Sequence, residues 1–526
     1  MQEKSIFTYK VLIKIFFFFL AIPHLSAQTL PKEDGKLNYR LIGFSFPQGQ
    51  AGCTYKIEIA TGNYYSDDSF KKNIIRSIPG TSNKIIGEVP SFGKDYTWRR
   101  ITYNHSEITK SELHHFSTIM SKDADTGITR LRILKPAQKY NDAYVFIDGA
   151  KALYDMGGKP VWFLPQIEGI PVEHLRLGDL KLTPQGTITF LSGRRNAMIY
   201  EVDYNGAVLW KGPGTGKVSG DSTEHYNHEF TRLYNGHYMV LGFESVLWKL
   251  PSSVDSSVLN DPNYKDKIIR DSNNAFYQKI FFYTVIEYDE QGNVVWALRT
   301  SKYFNPGDNP LFKTTTKGIY DDDEMLVNSF YFDEKDKAIY LSFRDIGRVF
   351  KVQYPQGNIL STYGNFQQQG NRDADKDLFC WQHDCNHSRN GYIYLFNNNI
   401  CHPGGLPKIT IIQDQSSGKD TLKKLWEYEC TIDGIDTEKQ KQLIFSNGGS
   451  VFELPDSSLF GCMSNQYYTK VFIVNRKKEI VWSAFPERWD QAERKWHSIN
   501  QYKASMILNH KDIERLIWNT ETVKNK

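Results

Sequence analysis

In a chain of 526 residues, 64 Lys and Arg face 60 Asp and Glu for a net charge of +4, with no long basic run beyond the extreme N-terminus. That balance removes nucleic acid from the expected partners. Aromatic residues are 14% of the chain, with 31 Tyr and 32 Phe, many in short alternating runs, so strands are expected to dominate over helices.

At the N-terminus, Lys4, Lys10 and Lys14 precede the apolar run Ile15–Ile22 and then His24-Leu-Ser-Ala27. Charge, apolar segment and small residue in that order predict a secretory signal peptide over 1–27, with Ala27 the last residue removed. The run is too short to span a bilayer, and no cysteine stands at the cleavage point to take a lipid. The expected product is exported, periplasmic or secreted, and has no membrane partner after cleavage. Its cysteines (Cys53, Cys380, Cys385, Cys401, Cys430, Cys462) are few for the length. One or two local bridges are expected among the four between 380 and 430, with the pairing left open.

Residues 28–135 hold short alternating segments such as Lys56–Ala60 and Tyr96–Tyr103, broken by Pro, Gly and Asn. They predict a small immunoglobulin- or fibronectin-like β-sandwich. From about residue 140 a repeat sets the architecture. One half is a turn, an apolar pair and Trp: Gly158-Lys-Pro-Val-Trp162, Gly206-Ala-Val-Leu-Trp210, Gly292-Asn-Val-Val-Trp296 and Lys478-Glu-Ile-Val-Trp482, with weaker copies at Gly357–Ser361 and Leu422–Trp426. The other half is a hairpin: Leu182–Ser192, His228–Gly242, Asn328–Arg344, His383–Asn397 and Gly449–Met463, with Tyr144–Asp148 a truncated first copy. Six such units over 136–526 predict a six-bladed β-propeller, all-β throughout. An insertion is expected around Pro251–Ala275, and Tyr502–Leu508 could close the ring.

In an antiparallel hairpin, residues equidistant from the turn face each other. Turn centres at Asn235-Gly236, Asp336 and Asn390-Gly391 put His228 opposite Gly242, Asn328 opposite Arg344 and His383 opposite Asn397. Equivalent positions of different blades converge at one mouth of the central channel, so these residues are expected together. A lone strand histidine is ordinarily a satisfied polar residue; two histidines and an arginine at one repeat position point to a site. His225, His387 and His402 lack that registration and read as structural or rim residues. Strand alternation puts His383 and His387 on one face, but the segment lacks a second ligand pair of zinc spacing, so no metal is expected.

His228-Glu-Phe-Thr-Arg-Leu-Tyr-Asn-Gly236, Val327-Asn-Ser329 with Leu341-Ser-Phe-Arg344, and Gln382-His-Asp384 followed by Asn390-Gly391 and Leu395-Phe-Asn397 resemble the bacterial aryl-sulfate sulfotransferases in order and spacing. The resemblance covers most of the mature chain. It implies a periplasmic six-bladed propeller with an N-terminal β-sandwich, which moves a sulfuryl group from a phenolic sulfate ester to a phenol without a nucleotide sulfate donor or other cofactor. It further implies that His383 is the transiently sulfated nucleophile, that His228 acts as acid, base or sulfate contact, and that Arg344 and Asn328 meet the sulfuryl oxygens, with ping-pong kinetics. A homodimer is compatible with it. The family's His-x-Asn-Ser reads Leu326-Val-Asn-Ser329 here, one imidazole fewer. On that departure rests a rival expectation, a weakly active or non-catalytic propeller that binds a sulfated or anionic ligand. A quinone-dependent or lyase propeller suits neither the blade count nor the site residues.

Overall fold

One turn, repeated, explains how the strands are spaced. In Asp155-Met-Gly-Gly158, Asp203-Tyr-Asn-Gly206, Asp289-Glu-Gln-Gly292 and Asn475-Arg-Lys-Lys478 the first side chain accepts the N–H four residues on: Lys159 at 2.8 Å, Ala207 at 2.8 Å, Asn293 at 2.7 Å and Glu479 at 3.0 Å. The fourth residue is left-handed, with φ of 84°, 83°, 80° and 68°, which is why glycine fills it three times in four.

The computed structural model describes residues 29–519 apart from 168–176, 194–196, 256, 259–260, 265, 307–314, 321–323, 365–377, 389, 415–422, 447 and 466. The expected signal peptide lies outside the described residues. Among those described, no helix is long and apolar enough to cross a membrane.

The chain is all-β, with many sheets. Beyond residue 140, six of them each contain a four-stranded antiparallel path. The first is Tyr144–Ile147, Ala152–Asp155 and Pro160–Phe163, completed by Ser505–Ile507 from the other end of the chain, which pairs with Tyr144–Ile147. The second runs Leu177–Leu182, Ile188–Ser192, Met198–Val202, Val208–Lys211. The third runs Tyr226–Arg232, Tyr238–Lys249, Phe276–Tyr288, Val294–Arg299, and the expected insertion leaves from its long central hairpin. The fourth runs Val327–Asp333, Ala338–Phe343, Arg348–Gln353, Ile359–Tyr363. The fifth runs His383–His387, Tyr392–Asn397, Lys408–Gln413, Lys424–Glu429, and the sixth Ser450–Glu453, Leu459–Ser464, Thr469–Val474, Ile480–Asp490.

Each sheet packs on the next through an apolar layer, so both faces of most strands are buried. Leu191, Ile199 and Trp210 of the second meet Phe230, Val240 and Ile286 of the third, and Phe460, Val471 and Ile473 of the sixth return to Val145, Ile147 and Tyr154 of the first. Four of the five repeated tryptophans latch the layers, the indole N–H donating to the carbonyl of the second turn residue in the following sheet: Trp162 to Tyr204 at 2.8 Å, Trp296 to Pro355 at 2.8 Å, Trp426 to Arg476 at 3.1 Å and Trp482 to Met156 at 3.0 Å. Each such bond contributes about 1 kcal/mol, and the last ties the sixth sheet to the first. Trp210 instead stacks on Tyr238 of the third sheet at 3.8 Å.

Ahead of these, Gly35–Leu37, Thr54–Thr61, Ile74–Gly80, Asp95–Asn104, Glu107–Lys110 and His114–Thr118 form one sheet, and Leu41–Ser45 pairs with Lys84–Glu88 in another. The two share a core that includes Phe44, Ile57, Ile59, Tyr96 and Trp98. Thr129–Lys135, which the expected boundary at 135 leaves with this part, pairs instead with Ile480–Asp490 of the sixth sheet. The C-terminal helix His510–Trp518 buries Ile513, Leu516 and Ile517 in a core shared with Leu41. Contact with Leu41–Ser45 is close enough to require glycine at Gly43, where a Cβ would lie 2.5 Å from Ile517.

Candidate active site

The first strands of the second to sixth sheets lie side by side in chain order, and the closing strand Ser505–Ile507 lies against the second. Polar side chains staple them. Asp148 accepts from the Asp179 N–H at 2.9 Å, Asp179 from Phe230 N–H at 2.9 Å and Asp384 from Val451 N–H at 2.8 Å, while Asn328 Nδ2 donates to Gln382 O at 2.7 Å.

These strands are bulged where the site residues fall. The register places Tyr226, not His228, opposite Gly242; Val327 opposite Phe343 with Asn328 unpaired beyond it; and His383 opposite Phe396. The expected pairings therefore need correction by a bulge at each strand's start, between Tyr226 and Phe230, Val327 and Ser329, and His383 and Cys385. His228 (φ 61°) and Asp384 (φ 56°) take left-handed backbone there, and a bulge re-aims a side chain. The fifth sheet shows the consequence. The extra residue reverses the alternation, so His383 does not share a face with His387. His387 turns to the fourth sheet, stacked on Tyr340 at 4.9 Å and paired with Asp333 at 3.3 Å and Asp414 at 3.2 Å.

His383 is 2% exposed, and its Nδ1 lies 2.8 Å from Asn398 Oδ1. Asn398 has no choice of orientation, since its Nδ2 already donates to Phe445 O at 2.6 Å and Gly448 O at 2.9 Å. Oδ1 is thus an acceptor, the His383 proton sits on Nδ1, and Nε2 keeps its lone pair. Burial, with the nearby charges of Arg344 and Lys503, presses the His383 pKa down to about 3 despite the Asn398 bond, so the ring is neutral across the physiological range.

His228 stands near it. Burial first, then His383, Lys503 and Arg344, holds its imidazole well below the usual histidine range. Its ring is flanked by Tyr283 at 5.8 Å and Tyr502 at 5.4 Å, and the Tyr502 ring meets His383 edge-on at 5.7 Å. Arg344 lies at the edge, its side chain 25% exposed, its guanidinium 4.6 Å from the Trp381 ring centre and bonded to Asp345 Oδ1 at 2.7 Å. Asn328 is fully buried against the strand that carries His383, and its Oδ1 has no hydrogen-bond partner among the described residues.

Behind the imidazoles is a buried charge cluster. Lys503 is paired with Glu229 and lies 3.7 Å from Asp384; Lys181 bridges Asp179 at 2.8 Å and Glu229 at 2.5 Å. Burial opposes the Lys503 charge, but Glu229, Asp384 and Asp179 outweigh it and hold the ammonium above the usual lysine range. Burial and Glu229 push Asp179 up to about 7. Asp179, Lys181 and Lys503 also line a cavity of about 240 Å³.

The structure therefore brings His228, His383 and Arg344 within mutual electrostatic reach, and sets Asn328 against the His383 strand. Tyr502, Lys503 and Asn398 are not among the expected site residues. Only Tyr502 and Lys503 had a signal, in the segment expected to close the ring. Among the described residues, two groups have metal-ligand spacing: Cys380–Cys401–His402, whose sulfurs are joined in a disulfide, and Asp490–Glu493–His497, where Glu493 is already paired with Lys495 and His497. Leu326, at the position of the missing family histidine, is 5% exposed inside an apolar cluster with Phe330 and Leu341, and its carbonyl accepts the Arg344 N–H at 3.2 Å.

The Arylsulfotransferase (ASST) family model matches residues 268–428, which supports the arylsulfotransferase resemblance. None of the curated proteins matches the chain. Among solved structures, a protein of unknown function from Bacteroides caccae is similar at 12% identity and a TM-score of 0.38, over 69% of this chain and 98% of that one. A quinonprotein alcohol dehydrogenase-like protein from Bacteroides thetaiotaomicron is similar at 10% identity and a TM-score of 0.31, over 92% of this chain and all of that one.

Proposed function

We propose that this chain is an arylsulfotransferase that moves a sulfuryl group from a phenolic sulfate ester to a phenol through a sulfated His383. The reading takes the six sheets as the blades of a six-bladed propeller over about 136–526, joined by the strand Thr129–Lys135 on the sixth sheet and preceded by a β-sandwich from 28 up to that strand and an export signal over 1–27, so that the working compartment is periplasmic or extracellular. The observation that carries it is the buried His383 ring with Nδ1 2.8 Å from the Oδ1 of a fixed Asn398, which assigns the proton to Nδ1 and leaves Nε2 as the nucleophile. In the first half-reaction Nε2 donates its pair to sulfur as the aryl O–S bond breaks and its pair passes to the phenolic oxygen. The sulfated imidazole keeps its Nδ1 proton and is a good leaving group for the second half, in which His228 takes the acceptor's proton as the phenolic oxygen attacks sulfur. Arg344 stabilises the sulfuryl oxygens, and Asn328 holds the His383 strand in place beside them.

The test is to incubate purified mature protein with 4-nitrophenyl sulfate and a phenol acceptor. Acceptor-dependent nitrophenol release that is lost in His383→Ala supports the proposal; no release overturns it. Leu326 favours a second reading, a propeller that binds sulfated ligands without turnover. Saturable phenyl sulfate binding with no release of phenol would establish that one instead.

A further inference from the structure

A buried hydroxyl ordinarily has a partner, and one without that also stands beside two candidate catalytic imidazoles is placed to donate to a ligand. Tyr502 has such a hydroxyl: it is occluded, with no hydrogen-bond partner among the described residues, on a ring whose centre lies 5.4 Å from that of His228 and 5.7 Å from that of His383. The ring has little freedom to be elsewhere. Gly449 N–H donates to Tyr502 O at 2.8 Å, Gln501 Oε1 accepts the Gly149 N–H at 3.3 Å, Lys503 is locked to Glu229, and Ala504 exchanges bonds of 3.1 Å with Ser450 Oγ. This segment comes from the far end of the chain, and no turn-centre argument connects it to the hairpins.

Resting on the arylsulfotransferase reading, we infer that Tyr502 is a further catalytic residue, whose O–H donates to the phenolic oxygen of the sulfate ester as the O–S bond breaks. His383 Nε2 supplies the pair for the new N–S bond, and the breaking bond's pair collects on the phenolic oxygen. The Tyr502 proton stays on Tyr502 and is shared with that oxygen, and the departing phenolate takes its proton from solvent. Burial keeps the Tyr502 phenol well above the usual tyrosine range, so it is a donor at any working pH. The role also accounts for a site with Leu326 in place of an imidazole. Leu326 is buried among apolar side chains, and Tyr502 supplies a polar hydrogen from the loop that leads into the closing strand Ser505–Ile507.

A hydrogen bond to developing charge matters most when the leaving group is poor. Tyr502→Phe keeps the ring and deletes the donor, and the readout is its effect across aryl sulfates of increasing phenol pKa, with rates normalised to the burst of His383 sulfation so that unfolded protein does not count. The expected loss is roughly a hundredfold with phenyl sulfate, the cost typical of one oxyanion donor. With 4-nitrophenyl sulfate, whose phenolate needs little help, the expected loss is no more than about threefold. An equal loss with every donor, or none, overturns the inference while wild-type turnover keeps the parent reading. A wild-type protein that turns over no aryl sulfate overturns both.

Discussion

Asn398→Ala is the perturbation that bears most directly on how His383 is prepared. The substitution removes the Oδ1 that accepts from Nδ1 at 2.8 Å and the Nδ2 that donates to Phe445 O and Gly448 O. Three buried hydrogen bonds lose a partner. At about 1 kcal/mol each, plus some penalty for carbonyls left buried and unsatisfied, the variant should be less stable by about 3–5 kcal/mol. The kinetic effect is separate. Without the acceptor the imidazole can carry its proton on Nε2, where it cannot attack sulfur, and loses its fixed orientation. Outer partners of this kind typically cost about 10–100-fold, so sulfation of His383 should slow by that factor while the adduct still forms at the same residue. Stopped-flow release of 4-nitrophenol in a single turnover measures this, with urea melts in parallel to read the stability change. An Asn398→Ala protein that is folded and sulfated at the wild-type rate would show that the tautomer argument is wrong.

Acidification should expose the buried imidazole. The folded His383 pKa of about 3 lies below the unfolded value, so the unfolded chain binds the proton first as pH falls. The contribution is fully present above pH ~6.5, shrinks as pH falls, and levels off below pH ~3, amounting to about 2–3 kcal/mol between pH 6.5 and 4.5. Urea melts of His383→Asn should show a shallower loss over that window than the wild type; identical slopes would contradict the assignment. Leu326→His, which would restore the family motif, puts an imidazole among Phe330, Leu341 and their neighbours. It should cost about 2–4 kcal/mol in chemical denaturation and give no gain in turnover, whereas a rise in activity would mean that position 326 still faces the site. Cys380, three residues before His383, is bridged to Cys401 at a separation of 21 residues. Replacing both with Ser should destabilise by about 3 kcal/mol on the chain-entropy account, read as a lower Tm, and an unchanged Tm would show that the bridge constrains little.

Much of the architecture was legible because it rests on short-range chemistry. The Asx turn with a left-handed fourth residue writes itself into the sequence as Asp-x-x-Gly, and the Trp four residues on latches two sheets at Trp162, Trp296 and Trp482. Expected hairpins beginning at His228, Asn328, His383 and Gly449 meet strands that begin at Tyr226, Val327, His383 and Ser450. The bulges were not legible. A residue inserted without its own composition signal shifts register by one and reverses the face of everything beyond it, which is why His387 was expected beside His383. Asn398 was passed over for its neighbour Asn397 for the same reason. Tyr502, Lys503 and Glu229 meet only when the last strand returns to the first sheet, a contact spanning 274 residues between Lys503 and Glu229.

The central claim is covalent, and the most direct measurement is covalent too. Wild-type protein mixed with excess 4-nitrophenyl sulfate in the absence of acceptor, quenched in alkali to preserve an N–S bond and digested, should yield one sulfated peptide. Fragmentation should place the group on His383, and addition of a phenol before quenching should discharge it. Phenol release with no adduct on His383, or an adduct that no acceptor removes, would contradict the account.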